Sequence, residues 1–148
     1  MPSNRVDVFY GSRSFAVIGV SKSRQNFARA VYDSLQLSGK SVYAIGAEIG
    51  EFRGIKIYDA IRSLPAKPEA IIVCTKPNTT STILKEIADS GAGFVWFQQG
   101  SFNKATLNEA AIQGIDPIKG CVMMYMPGGS WMHGFHRTIN EWLGRGYR

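Results

Sequence analysis

The chain has 148 residues, a net charge of +6, 45% hydrophobic residues and 2 cysteines. This length and apolar content favour one folded domain with its own core and exclude a disordered chain. Two cysteines do not form a disulfide framework, and no apolar run approaches the roughly 18 residues of a membrane span. We therefore expect a soluble, cytoplasmic protein with a single domain over residues 1–148.

The positive charge is concentrated near the start of the chain. Residues 1–40 carry six basic residues against two acidic ones. Such a distribution is usually a solvated surface, but it also creates a local field that attracts an anionic partner. The fold decides between the two interpretations, because it determines which of these residues lie together.

Short continuous apolar runs alternate with helix-like segments along the chain. Runs of four to six residues rich in Val, Ile and aromatics predict strands that are buried on both faces. They lie at 15–20, 42–45, 70–74, 94–97 and 121–124. A less regular stretch predicts a short strand at 55–57 and a helical turn that ends near Leu64.

Helical spacing fills the segments between these strands. Apolar residues recur at i, i+3 and i+4 from Phe27 to Leu35, and a second helix is predicted with Asn78 as its cap. A third helix is predicted at the capping-box sequence 106–109, and a last amphipathic helix at about 130–144. This alternation predicts an α/β, Rossmann-like three-layer sandwich with an open, mainly parallel sheet.

Ligands of open parallel sheets bind at the carboxyl ends of the strands, near the point where the strand order reverses. The segments predicted at this edge supply glycines, hydroxyls, amides and cations, which bind phosphates and polar chains rather than abstract protons. No catalytic residue is therefore predicted. The candidate binding residues are Gly19, Val20, Ser21, Lys22, Ser23, Arg24, Asn26, Gly46, Thr75, Lys76, Asn78, Gln98, Gln99 and Gly100.

The turn after the first predicted strand has the composition of a phosphate site. Gly19 permits a close approach of the backbone to a ligand, and the helix start that follows presents unpaired N–H groups. An ordinary tight turn with a serine cap explains the Gly-x-Ser pattern equally well. Two hydroxyls and two cations stand in the same turn, at Ser21, Ser23, Lys22 and Arg24.

A nicotinamide or flavin dinucleotide fits this turn poorly. The dinucleotide fingerprint requires glycines where the chain has Ser21 and Arg24, and it requires an acidic residue at the end of the second strand. Glu48 comes late for that role. The residues alone therefore favour a polyphosphate ligand over a dinucleotide.

No metal site is predicted. His133 and His136 are three residues apart on the last predicted helix, but they lack further ligands at zinc-binding spacing. Cys74 and Cys121 are most simply core residues, although a thiol at a strand end is also placed to face a ligand cleft. The Met- and Trp-rich segment 123–132 is interpreted as packing or as the contact of a homodimer through the apolar C-terminal region.

Five motifs in order resemble the CoA-binding domain of ADP-forming acyl-CoA synthetases, which also occurs in the α subunit of succinyl-CoA synthetase and in stand-alone CoA-binding proteins. The similar segments are 8–21, 26–32, 53–58, 96–100 and 120–125, followed by Phe135-His136-Arg137.

The resemblance implies which residues meet the ligand. Gly19, Ser21, Lys22 and Arg24 would hold CoA phosphates, and the loops after Ile45, Thr75 and Gln98 would flank the nucleotide and the pantetheine. The family usually has Asn-Pro after the second strand, whereas this chain has Gly46-Ala47. The contacts of that loop are therefore expected to differ from those of the family.

The expected function is binding of coenzyme A or an acyl-CoA without ligase chemistry. The synthetases need a phosphorylated histidine and an ATP-grasp partner, and neither histidine here has a Gly-His-Ala context. An NAD(P)-dependent oxidoreductase on the same fold is one alternative, and an interaction module that uses the C-terminal helix is another. We expect neither a nucleic-acid nor a membrane partner.

Overall fold

The computed structural model describes the backbone of residues 2–23 and 25–125 and the side chains of residues 5–23 and 25–124. Several sequence-based predictions lie outside the described residues. They are Arg24, the two histidines, the amphipathic helix at about 130–144, and with that helix the predicted homodimer contact and the alternative role as an interaction module.

Helices and strands alternate through the described part of the chain. The helices are α1 (Pro2–Tyr10), α2 (Phe27–Leu37), α3 (Pro77–Asp89), α4 (Lys104–Ile112) and α5 (Val122–Tyr125), with a 3-10 turn at Ile61–Ser63. The strands are β1 (Ser14–Ile18), β2 (Ser41–Ile45), β3 (Gly50–Phe52), β4 (Ile55–Tyr58), β5 (Ala70–Val73), β6 (Phe94–Gln98) and β7 (Ile118–Gly120).

The strands form one sheet in the order β3-β4-β2-β1-β5-β6-β7. Every neighbouring pair is parallel except β3 with β4. Ile18 at the end of β1 lies opposite Ile45 at the end of β2 and Val73 at the end of β5. The predicted α/β Rossmann-like fold is confirmed, and its strand order reverses between β1 and β5.

Both faces of the sheet are buried, which explains the continuous apolar runs. Phe15 and Val17 of β1 belong to the core on the side of α1 and α2. Ala16 and Ile18 of the same strand belong to the core on the side of α3 and α4. A strand with both faces buried needs apolar residues at every position, so it lacks the alternation of a half-exposed strand.

Two predicted helix starts and one predicted strand are wrong. Asn78 does not cap α3, because the helix begins at Pro77 with Lys76 as its cap, and proline suits the first helical position. Thr106 does not begin α4, because Asn103 is the cap and its side chain accepts a hydrogen bond from the Thr106 N–H. The apolar run at 121–124 is not a strand, since Cys121 follows β7 and the rest forms α5.

The last error and the unpredicted helix α1 have physical reasons. Gly120 has a φ of +134°, which ends β7, and Val122 and Met123 then reach the core from a single helical turn. A short apolar run is compatible with either a strand or a buried helix. Helix α1 has only nine residues, and its contacts with the core come from Phe9 and Tyr10 at its end, so its sequence showed no clear helical pattern. None of the described helices is long and apolar enough to cross a membrane.

Candidate functional site

A cleft of about 440 Å³ opens at the carboxyl ends of β1, β2 and β5, where the strand order reverses. Its floor is apolar and includes Ile18, Ile45 and Ile83. Its size is within the range of small-molecule sites. The cleft brings together six of the predicted binding residues, namely Gly19, Val20, Ser21, Gly46, Thr75 and Lys76.

Gly19 allows the backbone of β1 to turn at the edge of this cleft. Its φ is +110°, and a Cβ atom there would lie 3.1 Å from the carbonyl carbon of Cys74. The N–H groups of Gly19 and Val20 both donate to the carbonyl of Ile45, at 2.8 and 3.0 Å. The ends of three neighbouring strands are therefore tied closely together at the start of the turn.

Gly46 has a different physical role from Gly19. Its φ is not in the left-handed region, but a Cβ atom there would lie 1.9 Å from the carbonyl oxygen of Val20. Its N–H donates to the carbonyl of Tyr58 at 2.9 Å. The turn after β1 thus crosses directly over Gly46, and this contact leaves no room for the side chain of the family's usual asparagine in the same backbone geometry.

Asn26 holds the turn from Gly19 to α2 in shape. Its side-chain oxygen accepts from the N–H groups of Arg29, at 2.8 Å, and Ser21, at 3.2 Å. Its side-chain nitrogen donates to the carbonyl of Gly19 at 3.1 Å. The amide of Asn26 is therefore engaged within the protein, so it positions the turn and caps α2 rather than facing the cleft.

The serines of the turn also make local hydrogen bonds. The Ser21 hydroxyl accepts from the Ser23 N–H at 3.2 Å, and the Ser23 hydroxyl accepts from the Gln25 N–H at 3.3 Å. These two N–H groups and that of Ser21 are engaged inside the turn. The turn therefore offers hydroxyl hydrogens to a ligand, in addition to the dipole of α2. Ser21 lines the cleft, whereas the predicted residues Lys22 and Ser23 do not.

Arg29 is a buried cation that the sequence analysis did not select. It is 9% exposed, donates to the carbonyl of Lys22 at 2.6 Å, and places its guanidinium carbon 4.3 Å from the centre of the Phe52 ring. The Lys22 ammonium lies against Gly50 at the start of β3. Arg29 thus joins α2 to the turn, and Lys22 lies between the turn and the loop after β2.

The segment after β5 contributes a hydroxyl and a cation to the cleft. The hydroxyls of Thr75 and Thr80 are 2.8 Å apart, which links the end of β5 to the first turns of α3. Lys76 is exposed and lines the cleft, whereas Asn78 is exposed in the first turn of α3 and does not line it.

The predicted residues after β6 lie outside the cleft. Gln98 is buried, and its side-chain oxygen accepts from the Val122 N–H at 2.9 Å. Within the described residues its side-chain nitrogen has no hydrogen-bond partner. Gln99 and Gly100 form the exposed turn that follows. The structure therefore separates these three residues from the group around Gly19.

Among the residues that the structure describes, three carboxylates line the cleft, and the sequence analysis did not assign any of them to the site. They belong to Glu48, Asp59 and Glu86. A hydrogen bond of 2.7 Å from the Ser63 hydroxyl is the main cause that lowers the pKa of Asp59. Asp59 follows β4 and Glu86 lies within α3, so the two residues come together only in the folded protein. The sequence around each of them therefore did not indicate a shared site.

Cys74 also lines the cleft, but its thiol is not prepared for nucleophilic chemistry. Burial raises the pKa of the Cys74 thiol, and the neighbouring charge of Cys121 raises it further. The thiol therefore stays protonated at neutral pH. Among the described residues there is no group of three or more His, Cys, Asp or Glu side chains that would hold a metal ion.

A second groove of about 640 Å³ lies between α3 and the segment 64–68. The connection from β4 to β5 contains the 3-10 turn Ile61–Ser63, and the groove lies beside this turn. None of the predicted binding residues that the structure describes lines the groove. The candidate site is therefore the cleft at the carboxyl edge of the sheet.

Comparison with known proteins identifies the family. A family profile described as "CoA binding domain" matches residues 13–127, which include the seven described strands and the cleft. The chain belongs to the CoA-binding domain family. The strand order and the cleft at the turn after β1 are consistent with this family.

A curated relative agrees with this family. The α subunit of acetate–CoA ligase (ADP-forming) II from Pyrococcus furiosus is 29% identical over 82 residues, which make up 54% of this chain and 18% of that subunit. The chain therefore matches less than a fifth of the ligase subunit's length.

Solved structures share the fold. A hypothetical protein from Pyrococcus horikoshii OT3 has a TM-score of 0.74 at 22% identity, with 94% of this chain and 92% of that chain covered. A protein from Thermus thermophilus has a TM-score of 0.73 at 18% identity, with 93% and 99% covered. At these identities the likeness applies to the fold alone.

Proposed function

We propose that this chain binds coenzyme A or an acyl-CoA in the cleft at the carboxyl edge of the sheet, and that it has no ligase chemistry of its own. Membership of the CoA-binding domain family supports the ligand class. The named acetate–CoA ligase relative supports it as well. We propose no ligase chemistry for this chain, because the region that matches makes up only 18% of the ligase subunit's length.

The observation that carries the proposal is the position of the turn after β1. Gly19 lies where the strand order reverses, with a φ of +110°, and it lines the cleft together with Ser21. This is where open α/β sheets bind nucleotides, with the ligand's phosphates near the start of the following helix. We place the CoA diphosphate on this turn.

The side chains around the turn then take separate roles. The ammonium groups of Lys22 and Lys76 and the hydroxyls of Ser21 and Thr75 contact the phosphates or the adjoining groups. Asn26 and Arg29 act through the backbone of the turn, because their polar atoms bond to Gly19, Ser21 and Lys22. The predicted role of Arg24 as a second phosphate cation remains part of the proposal.

Calorimetric titration with CoA tests the ligand and its position together. We expect wild-type protein to bind CoA and to be stabilised by it, since the ligand binds only the folded state. In Lys22→Ala the affinity should fall roughly 5- to 100-fold and depend less on salt, because one charge-assisted contact is lost. Lys119→Ala is the control: it removes the same charge from an exposed position on β7 at the far end of the sheet.

The two parts of the proposal fail separately. If CoA neither binds to the wild-type protein nor raises its melting temperature, the assignment of the ligand is wrong. If CoA binds equally well to the wild type and to Lys22→Ala, the ligand is right and its placement on the turn is wrong.

One observation favours the oxidoreductase alternative. Glu48, which the sequence spacing placed too late for a ribose-binding acid, lines the same cleft as Gly19. An acidic residue beyond the second strand is typical of sites that bind NAD. Titration with NADH in the same assay decides the matter: tight NADH binding without CoA binding would favour the dinucleotide enzyme.

A further inference from the structure

Two cations from the turn after β1 and from α2 lie against the short edge strand β3. The ammonium nitrogen of Lys22 is 2.8 Å from the position that a Cβ atom of Gly50 would take. The guanidinium carbon of Arg29 is 4.3 Å from the centre of the Phe52 ring. Gly50 and Phe52 are two residues apart on β3, and residues at this spacing share one face of a strand. Both cations therefore lie over the same face of β3.

The positive charge of this pair is not neutralised by the protein around it. Neither Lys22 nor Arg29 forms a salt bridge with another residue that the structure describes. Asp33, one helical turn after Arg29, is paired instead with Arg53, whose guanidinium lies 2.7 Å from its carboxylate. Glu51 is exposed and belongs to the other face of β3, because neighbouring residues of a strand alternate between its faces. A net positive charge therefore remains between the turn and β3.

Arg29 is held in one orientation and keeps donors to spare. It is 9% exposed, its Nη1 donates to the Lys22 carbonyl at 2.6 Å, and its guanidinium packs on the Phe52 ring. A guanidinium has five N–H donors in a planar fork that matches the oxygens of a phosphate, and the structure describes one hydrogen bond from this one. A buried charge is costly unless a group of opposite charge accompanies it. The arrangement therefore favours an anion beside Arg29 and Lys22.

We infer that Arg29 and Lys22 together form a phosphate site between the turn after β1 and β3. This inference rests on the proposed function and deepens it, because it makes Arg29 a direct contact of the ligand in addition to its bond to the Lys22 carbonyl. Neither cation lines the cleft, whereas the carboxylates of Glu48 and Asp59 do. The phosphate held here therefore lies on the β3 side of the turn, away from those carboxylates. CoA has two sources of such a group, its diphosphate and its 3′-phosphate.

Calorimetric titration of Arg29→Gln with CoA at several salt concentrations tests the inference. The affinity should fall roughly 10- to 100-fold and should depend less on salt, because a charge-assisted contact to a phosphate is lost. Arg29→Lys keeps the charge and should recover part of the affinity and of the salt dependence. Both new side chains are still able to donate to the Lys22 carbonyl, and melting temperatures without ligand check that the fold survives.

Titration of the same variants with 3′-dephospho-CoA identifies the phosphate. If Arg29→Gln weakens the binding of CoA and of 3′-dephospho-CoA equally, the two cations hold the diphosphate. If it weakens the binding of CoA alone, they hold the 3′-phosphate. Either result supports the phosphate site.

Arg13→Gln is the matched control, since it removes the same charge from an exposed position directly before β1, at the opposite edge of the sheet. It should bind CoA like the wild type. If Arg29→Gln binds CoA as tightly as Arg13→Gln, or loses affinity without any change in salt dependence, the inference is overturned and CoA binding stands. If the wild type does not bind CoA at all, the proposed function fails and this inference fails with it.

Discussion

At the scale of single residues, the close contact between Gly46 and the Val20 carbonyl requires a glycine at position 46, beside the cleft. A Cβ atom at Gly46 would lie 1.9 Å from the Val20 carbonyl oxygen, which is a backbone atom held by the turn. We therefore expect Gly46→Ala to lower the free energy of unfolding by about 2 kcal/mol or more, as in other overpacked positions. Equilibrium unfolding in urea measures the change.

Gly93→Ala provides the control for this substitution. A Cβ atom there would lie 3.9 Å from its nearest neighbour, and the φ of Gly93 is not positive. Its stability should stay the same or rise slightly, because alanine reduces the freedom of the unfolded chain. Equal stability of Gly46→Ala and Gly93→Ala would show that the turn after β1 can move away from Gly46, against the close packing described here.

Which site residues the sequence could predict depended on whether their role is local. Gly19, Ser21 and Lys22 stand in one turn after a clear strand, so their composition was enough to mark the turn. Arg29 was not predicted, since its contacts with Lys22 and the Phe52 ring form only in the fold. Gly46 was predicted as a binding residue, but its close contact with the Val20 carbonyl was not. The position of the acids could not be deduced either, because spacing along the chain says little about the path of a loop.

At the scale of elements, the cap of α2 links the stability of the helix to the shape of the turn. Asn26 accepts from the Arg29 N–H and also bonds to Ser21 and Gly19. We expect Asn26→Ala to cost about 1 kcal/mol or more of stability and to weaken CoA binding roughly three- to tenfold. Urea unfolding and calorimetric titration with CoA measure the two effects.

Asn103→Ala separates these two effects. Asn103 caps α4 with bonds of 2.9 Å from both the N–H and the hydroxyl of Thr106, but it does not line the cleft. Its loss should destabilise the protein to a similar extent without changing the affinity for CoA. If both variants weakened CoA binding equally, the effect of Asn26 would be one of general stability and not of the turn.

The presence and type of most helices and strands were easier to predict than the residues at which they begin and end. The strands predicted at 15–20 and 70–74 follow from runs of apolar residues that only a strand buried on both faces requires, and the structure has them at Ser14–Ile18 and Ala70–Val73. Helix starts were harder, since several polar residues near the start of α3 or α4 are able to act as caps. The helix at 122–125 was the hardest element to predict, because its apolar residues fit a strand equally well. In the structure the side-chain oxygen of Gln98 accepts a hydrogen bond from the Val122 N–H at the start of this helix.

At the scale of the whole molecule, the order of the strands creates the site. The connection from β4 to β5 crosses to the other side of β1, so the ends of β1, β2 and β5 are adjacent, with the cleft between them. The sequence predicted the alternation that produces this topology. It could not predict the antiparallel strand β3 or the packing of α1, because both are short and are stabilised mainly by contacts with the rest of the fold.

The core also makes the stability of the whole molecule sensitive to alkaline pH. Burial raises the pKa of Tyr10 above its ordinary value of 10.0 and that of Cys74 above 9.0, and in each case the charge of Cys121 adds to the effect. Between the unfolded and folded pKa values, the unfolded chain has released protons that the folded protein still holds. These two groups should therefore leave the free energy of unfolding unchanged below about pH 8 and lower it as the pH rises through 9 and 10.

Urea unfolding at pH 7 and at pH 10.5 tests this dependence. Tyr10→Phe and Cys74→Ala should each reduce the loss of stability between the two pH values, and the double variant should reduce it further. Tyr10→Phe also loses the hydrogen bond from the tyrosine hydroxyl to the Val122 carbonyl, and its stability at pH 7 measures that separate cost. A wild type that is equally stable at both pH values would contradict the prediction, and so would a double variant with an unchanged pH dependence.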